Sequence, residues 1–166
     1  MDNQDIRWVQ RFHNFEKAFL LLRETVQIES PSVVERAGLI QFFEMTFELA
    51  WKLLKDYEEE EGFEVKSPRD AIKQAFQANL IIAGHTWIDA LEDRNLTSHT
   101  YHEKIAVEVE EKIRNKYFPV LEKLYIDFKD RGEIPKIEVG TLLAEKIPLK
   151  KSKNGRNLLH QEQLLA

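Results

Sequence analysis

The chain lacks cysteine altogether and has only six glycines and five prolines among 166 residues. Without a thiol there is no disulfide framework, no thiolate zinc or iron–sulfur site and no thiol nucleophile. So few turn formers cannot serve a many-turned β protein, which leaves long helices as the first expectation. No apolar run reaches the roughly 18 residues that a spanning helix needs. The opening ten residues carry charge from Asp2 onward and are not expected to be a secretory signal. A glycine-rich phosphate loop is missing too, so nucleotide transfer by this chain alone is not expected. These absences predict a cytoplasmic protein with no membrane span. What is there, 43% hydrophobic and 32% charged residues, is the balance of an ordinary folded domain.

Charge is unevenly spread. Residues 1–130 hold 17 Lys and Arg against 25 Asp and Glu, whereas 131–166 hold 7 against 4. An acidic body argues against broad coating of nucleic acid, because phosphate contacts dominate that affinity. It leaves room for a small, focused phosphate-handling site.

Apolar spacing predicts five helices. The first runs from about Gln4 to Ile28, with Phe12, Phe15, Phe19, Leu22 and Val26 on one stripe. The second, Val33 to Glu61, carries Ile40, Phe43, Phe47, Ala50, Leu54 and Tyr57, and a second row of Leu39, Phe42, Leu49 and Leu53 makes it central. Its acidic run Glu58–Glu61 is expected to be solvated and frayed, with Gly62 as a left-handed stop. Ser67-Pro68-Arg69-Asp70 starts a third helix that ends near Asn79. A short fourth contains Trp87, Ile88 and Leu91. Thr100 and Glu103 have capping-box spacing and open a fifth, in which Pro119 should force a kink or break near Phe118. The expected fold is an all-α, up-and-down antiparallel bundle of four to five helices over 1–130. Residues 131–166, broken by Gly and Pro and carrying Lys150, Lys151 and Lys153, are expected to be a flexible or irregular basic tail.

One stretch, Asp93 to Tyr101, gathers chemistry. Arg94 and His99 are five apart, so on a continuous helix they would lie about 140° apart and share no face. A new helix starting at Thr100 resolves this by folding His99 back toward Arg94 across a tight connection. The free N–H groups of that helix, the Thr97, Ser98 and Tyr101 hydroxyls, an Arg and a His together suit a phosphodiester. The plainer alternative has Arg94 paired with Asp93 or Glu92 and His99 filling a bend.

Arg94-x4-His99-x-Tyr101 resembles the R-x4-6-H motif of HEPN-fold proteins, in the R-x4-H-x-Y form of HepT-type members. Glu35–Gln41, Phe47–Lys52, Lys66–Asp70 and Trp87-x-Asp89-x-Leu91-x-Asp93-Arg94-Asn95 resemble the nucleotidyltransferase substrate-binding protein family over about residues 6–128. The resemblance implies a HEPN-like bundle that dimerises and pairs with a minimal nucleotidyltransferase, as in toxin–antitoxin pairs. It implies metal-independent RNA cleavage, with Arg94 stabilising the transition state, His99 as acid or base and Asn95 orienting the site. Thr97, Ser98 and Thr100 would support the phosphate, and Tyr101 would be adenylylated by the partner to silence the toxin. Family members are also described as non-catalytic substrate-binding subunits, so both readings stay open. No cofactor or metal is expected on either.

Other features are expected to be plainer. Glu44, Glu48 and Lys52 share one face of the second helix, where Glu48–Lys52 makes an exposed ion pair and a metal site is not expected. Trp8, Trp51 and Trp87 are expected in the core, and His13, His85, His102 and His160 as structural or exposed residues. The wide apolar surface of the second helix and the thinness of a single Arg–His site both predict a homodimer.

Overall fold

The computed structural model describes residues 6–132, and among them there is no strand. The chain divides into two units, 1–127 and 128–166. Of the second only 128–132 are described, and they are helical. Apart from Arg131 and Gly132, the expected tail lies outside the described residues, as does His160.

Helix α1 spans Arg7–Thr25 and buries Val9, Phe12, Phe15, Ala18, Phe19 and Leu22, the expected stripe. Helix α2 spans Val33–Glu60, about 42 Å at 1.5 Å per residue. Its start is a capping box: Ser32 Oγ accepts from the Glu35 N–H at 3.1 Å, and the Ser32 N–H donates to Glu35 Oε1 at 2.9 Å. Its end is a Schellman stop in which Phe63 N–H donates to Glu58 O and Gly62 N–H to Glu59 O, with Gly62 at φ +94°. Helix α3, Pro68–Gln77, is capped by Ser67 as expected. Asn79, at φ 58°, takes the left-handed stop position that Gly62 fills in α2. Helix α4, Gly84–Asp93, leads into a 3₁₀ turn, Arg94–His99. Helix α5, Glu103–Lys112, is followed by a π turn, Ile113–Tyr117, and then by helix α6 over 118–127.

The π turn is the form taken by the expected break at Pro119. Proline has no N–H to give the carbonyl four residues back. The chain widens one turn ahead of it, and the Phe118 N–H donates to Ile113 O, five residues back.

Helix α1 runs antiparallel to α2, since Trp8 meets Tyr57 and Arg11 Nε meets Asp56 Oδ2 at 2.8 Å. It also runs antiparallel to the π turn and α6. Phe12 and Phe19 stack on Tyr125, Phe19 stacks on Phe118, and Arg114 donates to the Val26 and Ile28 carbonyls beyond the end of α1. Phe15, Phe19, Phe43, Phe47, Leu53, Leu54, Trp87 and Tyr117 are fully buried and form the core. Helix α2 packs on α1, α3 and α5, which is the central place its two apolar rows predict. Burying aromatic side chains of this size stabilises by roughly 1.5–3 kcal/mol each, so the bundle rests mainly on this cluster.

Two expectations are corrected. Glu58 is not solvated: it is 1% exposed, and neither carboxylate oxygen meets a hydrogen-bond partner among the described residues. It lies four residues beyond Leu54, so the core-facing stripe of α2 carries it inward. Only Glu59, Glu60 and Glu61 remain toward the surface. The Thr100–Glu103 capping box does not form either. Helix α5 begins at Glu103 with His102 as an N-cap that makes no side-chain bond. The Glu103 carboxylate is drawn instead to Arg36, whose Nη1 donates to Oε1 at 2.5 Å. Arg36 Nε also donates to Glu110 Oε1 at 2.7 Å, and Arg114 Nε to Glu110 Oε2 at 3.1 Å. This network, buried at Glu110 and exposed at Glu103, ties the start of α2 to α5.

Candidate functional site

The junction of α4 and the 3₁₀ turn is held from two sides. Asp93 Oδ2 accepts from Tyr117 Oη and from Lys112 Nζ at 3.0 Å. Burial first, and then the bond to Asp93, raise the Tyr117 phenol well above its usual range, so it remains a proton donor. The next residue, Arg94, turns to α2, where Nη1 donates to Glu48 Oε2 at 2.8 Å. The same oxygen accepts from Trp51 Nε1 at 3.0 Å, while Lys52 Nζ lies 3.2 Å from Oε1. Partial burial pushes the Glu48 carboxyl up. Hydrogen bonds from Trp51 and Lys52 and the charges of Lys52 and Arg94 outweigh it, leaving Glu48 below its ordinary value.

The other half of the motif faces outward. His99 closes the 3₁₀ turn and is exposed; Tyr101 is 76% exposed, in the turn that leads to α5. The His99 and Tyr101 rings lie 6.4 Å apart, and Tyr101 packs on His102 at 4.2 Å. Asn95 is exposed, its carbonyl accepting from Ser98 Oγ at 3.1 Å, and Thr100 is half-buried. Of Thr97 only the backbone is described. The expected fold-back does not occur as a loop: Arg94 and His99 are the first and last residues of one 3₁₀ segment. At about three residues per turn they fall some 120° apart, still on different faces. The structure thus brings His99 and Tyr101 together and commits Arg94 to α2.

Sequence reasoning missed Glu48 as the partner of Arg94, having placed it in a local pair with Lys52. That pair exists, but 46 residues separate Glu48 from the arginine and no spacing rule links them. Trp87 is core as expected, whereas Trp51 is half-buried and bonds Glu48. Among the described residues no cluster of three or more His, Asp or Glu could hold a metal. No helix among them is long and apolar enough to cross a membrane.

Comparison with known proteins finds similarity to a family, to a curated protein and to a solved structure. A family profile described as "Nucleotidyltransferase substrate binding protein like" covers residues 10–130. A Haemophilus influenzae protein named probable ribonuclease HepT is 31% identical over 110 residues, 57% of this chain and 75% of that one. A crystal structure of a Thermus thermophilus protein is similar at a TM-score of 0.61 and 36% identity, over 72% of this chain and 98% of the other.

Proposed function

The chain belongs to the HepT-like nucleotidyltransferase substrate-binding protein family, and on that premise we propose that it is the partner subunit of a minimal nucleotidyltransferase in a toxin–antitoxin pair, with a latent metal-independent ribonuclease. The observation that carries this reading is the exposed pair His99 and Tyr101, with rings 6.4 Å apart at the far end of the turn that begins at Arg94. An imidazole open to solvent can move protons near neutral pH, and a guanidinium can hold a phosphoryl group.

In the proposed reaction His99 takes the proton of an RNA 2′-OH. The 2′-oxygen bonds to the adjacent phosphorus, and the bond from phosphorus to the 5′-oxygen breaks. The leaving oxygen takes a proton from an imidazolium, and the 2′,3′-cyclic phosphate remains. Arg94 stabilises the charge that builds on the phosphoryl oxygens. Asn95, Thr97, Ser98 and Thr100 would support the phosphate. A homodimer supplies the second imidazole, so that one His99 acts as base and the other as acid. Silencing follows when the Tyr101 phenol attacks the α-phosphate of ATP on the partner enzyme: the phenolic proton is lost, an O–P bond forms and pyrophosphate leaves. The AMP places charge and bulk beside His99.

Unmodified protein is expected to cleave RNA with EDTA present, and Arg94→Ala or His99→Ala to abolish cleavage without unfolding. Incubation with the cognate nucleotidyltransferase, ATP and Mg²⁺ should add about 329 Da per AMP, and Tyr101→Phe should prevent it. Sedimentation should give a dimer at micromolar concentration. The second reading is a non-catalytic substrate- or nucleotide-binding subunit of a two-component nucleotidyltransferase. The engagement of Arg94 by Glu48 in an acidic body favours it. Failure of unmodified protein to cleave any RNA decides for it.

A further inference from the structure

Glu48 has more partners than an exposed helix carboxylate needs. Its Oε2 accepts from both Trp51 Nε1, at 3.0 Å, and Arg94 Nη1, at 2.8 Å, and its Oε1 faces Lys52 Nζ at 3.2 Å. Trp51 and Lys52 stand three and four residues further along α2, so both lie on the face of Glu48. An indole N–H is a donor on a rigid ring and cannot follow a swinging carboxylate, so it pins Glu48 in one pose. Arg94 enters from the end of α4, and its neighbour Asp93 is fixed by Tyr117 and Lys112. Backbone and guanidinium are therefore held by different helices.

We propose that Glu48 is a positioning residue for Arg94: pinned by Trp51, it aims the guanidinium and neutralises it until a phosphodiester takes its place. The proposal rests on Arg94 being the phosphate-binding group of the site. Its chemistry is an exchange of anions on one planar fork. When a phosphodiester takes the guanidinium, Glu48 keeps Trp51 and Lys52, so the exchange leaves no carboxylate without a partner. In the resting protein the acid keeps Arg94 from binding stray phosphate weakly and in many poses. Glu48 thereby trades phosphate affinity for orientation.

The test uses the full chain and reads Arg94 directly, by ¹⁵N NMR of its guanidinium, assigned with Arg94→Lys. In the wild type, rotation about the Cζ–Nη1 bond should be slowed by the Glu48 bond. Glu48→Gln, of equal size, should abolish that slowing, whereas Lys52→Ala, which acts on the other oxygen, should preserve it. Adding a non-cleavable 2′-deoxy-substituted oligonucleotide should shift the Arg94 signals in both proteins, at several-fold lower concentration in Glu48→Gln. In RNA cleavage, Glu48→Gln should lower KM several-fold and lower kcat about tenfold or more, the split expected when aim is lost and charge is gained. Arg94 signals that are the same in Glu48→Gln and wild type overturn the proposal, whatever the kinetics. Slowing that depends on Glu48 in a protein that cleaves no RNA leaves the positioning intact and removes the nuclease reading. Oligonucleotide affinity that rises equally for Glu48→Gln with and without Arg94 overturns it as well, since the acid would then act on phosphate without the arginine.

Discussion

Two glutamates on one helix, ten residues apart, meet opposite fates. Glu48, in the middle of α2, has an arginine, a lysine and an indole as partners and titrates below its ordinary value. Glu58, near the end, is buried with neither oxygen partnered among the described residues, and burial, with a smaller push from Glu59, raises its carboxyl to about 8. A carboxylate on the central helix is thus held charged where chemistry is proposed and held neutral where there is only core. The partners, not the residue type or the helix, decide which.

The largest effect that sharpens this contrast is expected at Glu58. Its folded value lies above its unfolded one, so folding retains a proton that the unfolded chain releases between about pH 4.5 and pH 8. Its contribution is fully present below pH 4.5, is lost as pH rises through 8, and is flat beyond. At about 1.4 kcal/mol per unit, the loss is on the order of 5 kcal/mol. Glu58→Leu should therefore be more stable than wild type by several kcal/mol at about pH 8.5 and by much less at about pH 4.5, read by urea unfolding. Parallel pH profiles for the two proteins would break the contrast.

How legible these fates are differs by position. The helices and their stops follow from local rules: aromatic spacing in α1, Ser67-Pro68 before α3, and Gly62 after α2 all act within a turn or two of themselves. Glu58 was legible in part, because counting four on from Leu54 puts it on the core stripe, but a run of four acids suggests solvent more loudly. Capping shows the limit better. Ser32–Glu35 and Thr100–Glu103 have the same spacing, yet only the first forms a box. Arg36, the residue after the first box, takes Glu103 away from the second. The Glu48–Arg94 contact has the same origin, a partner from a distant segment that no local pattern announces. Within the motif, Arg94, His99 and Tyr101 stood out as residue types, while the direction each faces came only with the fold.

A smaller effect is expected at Tyr117→Phe. This removes the buried donor to Asp93 and leaves Lys112, which is partly exposed, as the remaining cation. Losing a hydrogen bond to a charged acceptor costs about 1.5–3 kcal/mol. Because Asp93 precedes Arg94, the same change should loosen the arginine from its backbone side. Thermal unfolding should show the loss, and cleavage should fall while KM stays near its wild-type value. A variant as stable and as active as wild type would mean that the Glu48 side alone holds the junction.

The smallest effect on stability belongs to Glu48 itself. Its side chain and that of Lys52 are more than a third exposed, and water screens such pairs to about 0.2–1 kcal/mol. Its lowered value reverses the sign found at Glu58: the contribution is present above the ordinary carboxylate range and fades as pH falls through the folded value. Glu48→Gln should therefore change unfolding free energy by less than about 1 kcal/mol at about pH 7, and by less still once pH falls below the folded value. Salt at about 1 M should erase most of the difference, because the Debye length there is about 3 Å. The outcome matters because it separates two reasons for keeping an acid on a central helix. If Glu48→Gln destabilises by several kcal/mol, the carboxylate is a structural tie between α2 and α4, and any loss of cleavage follows from a loosened fold. If stability hardly moves while the Arg94 signals and kcat change, the three partners of Glu48 serve the arginine and not the bundle.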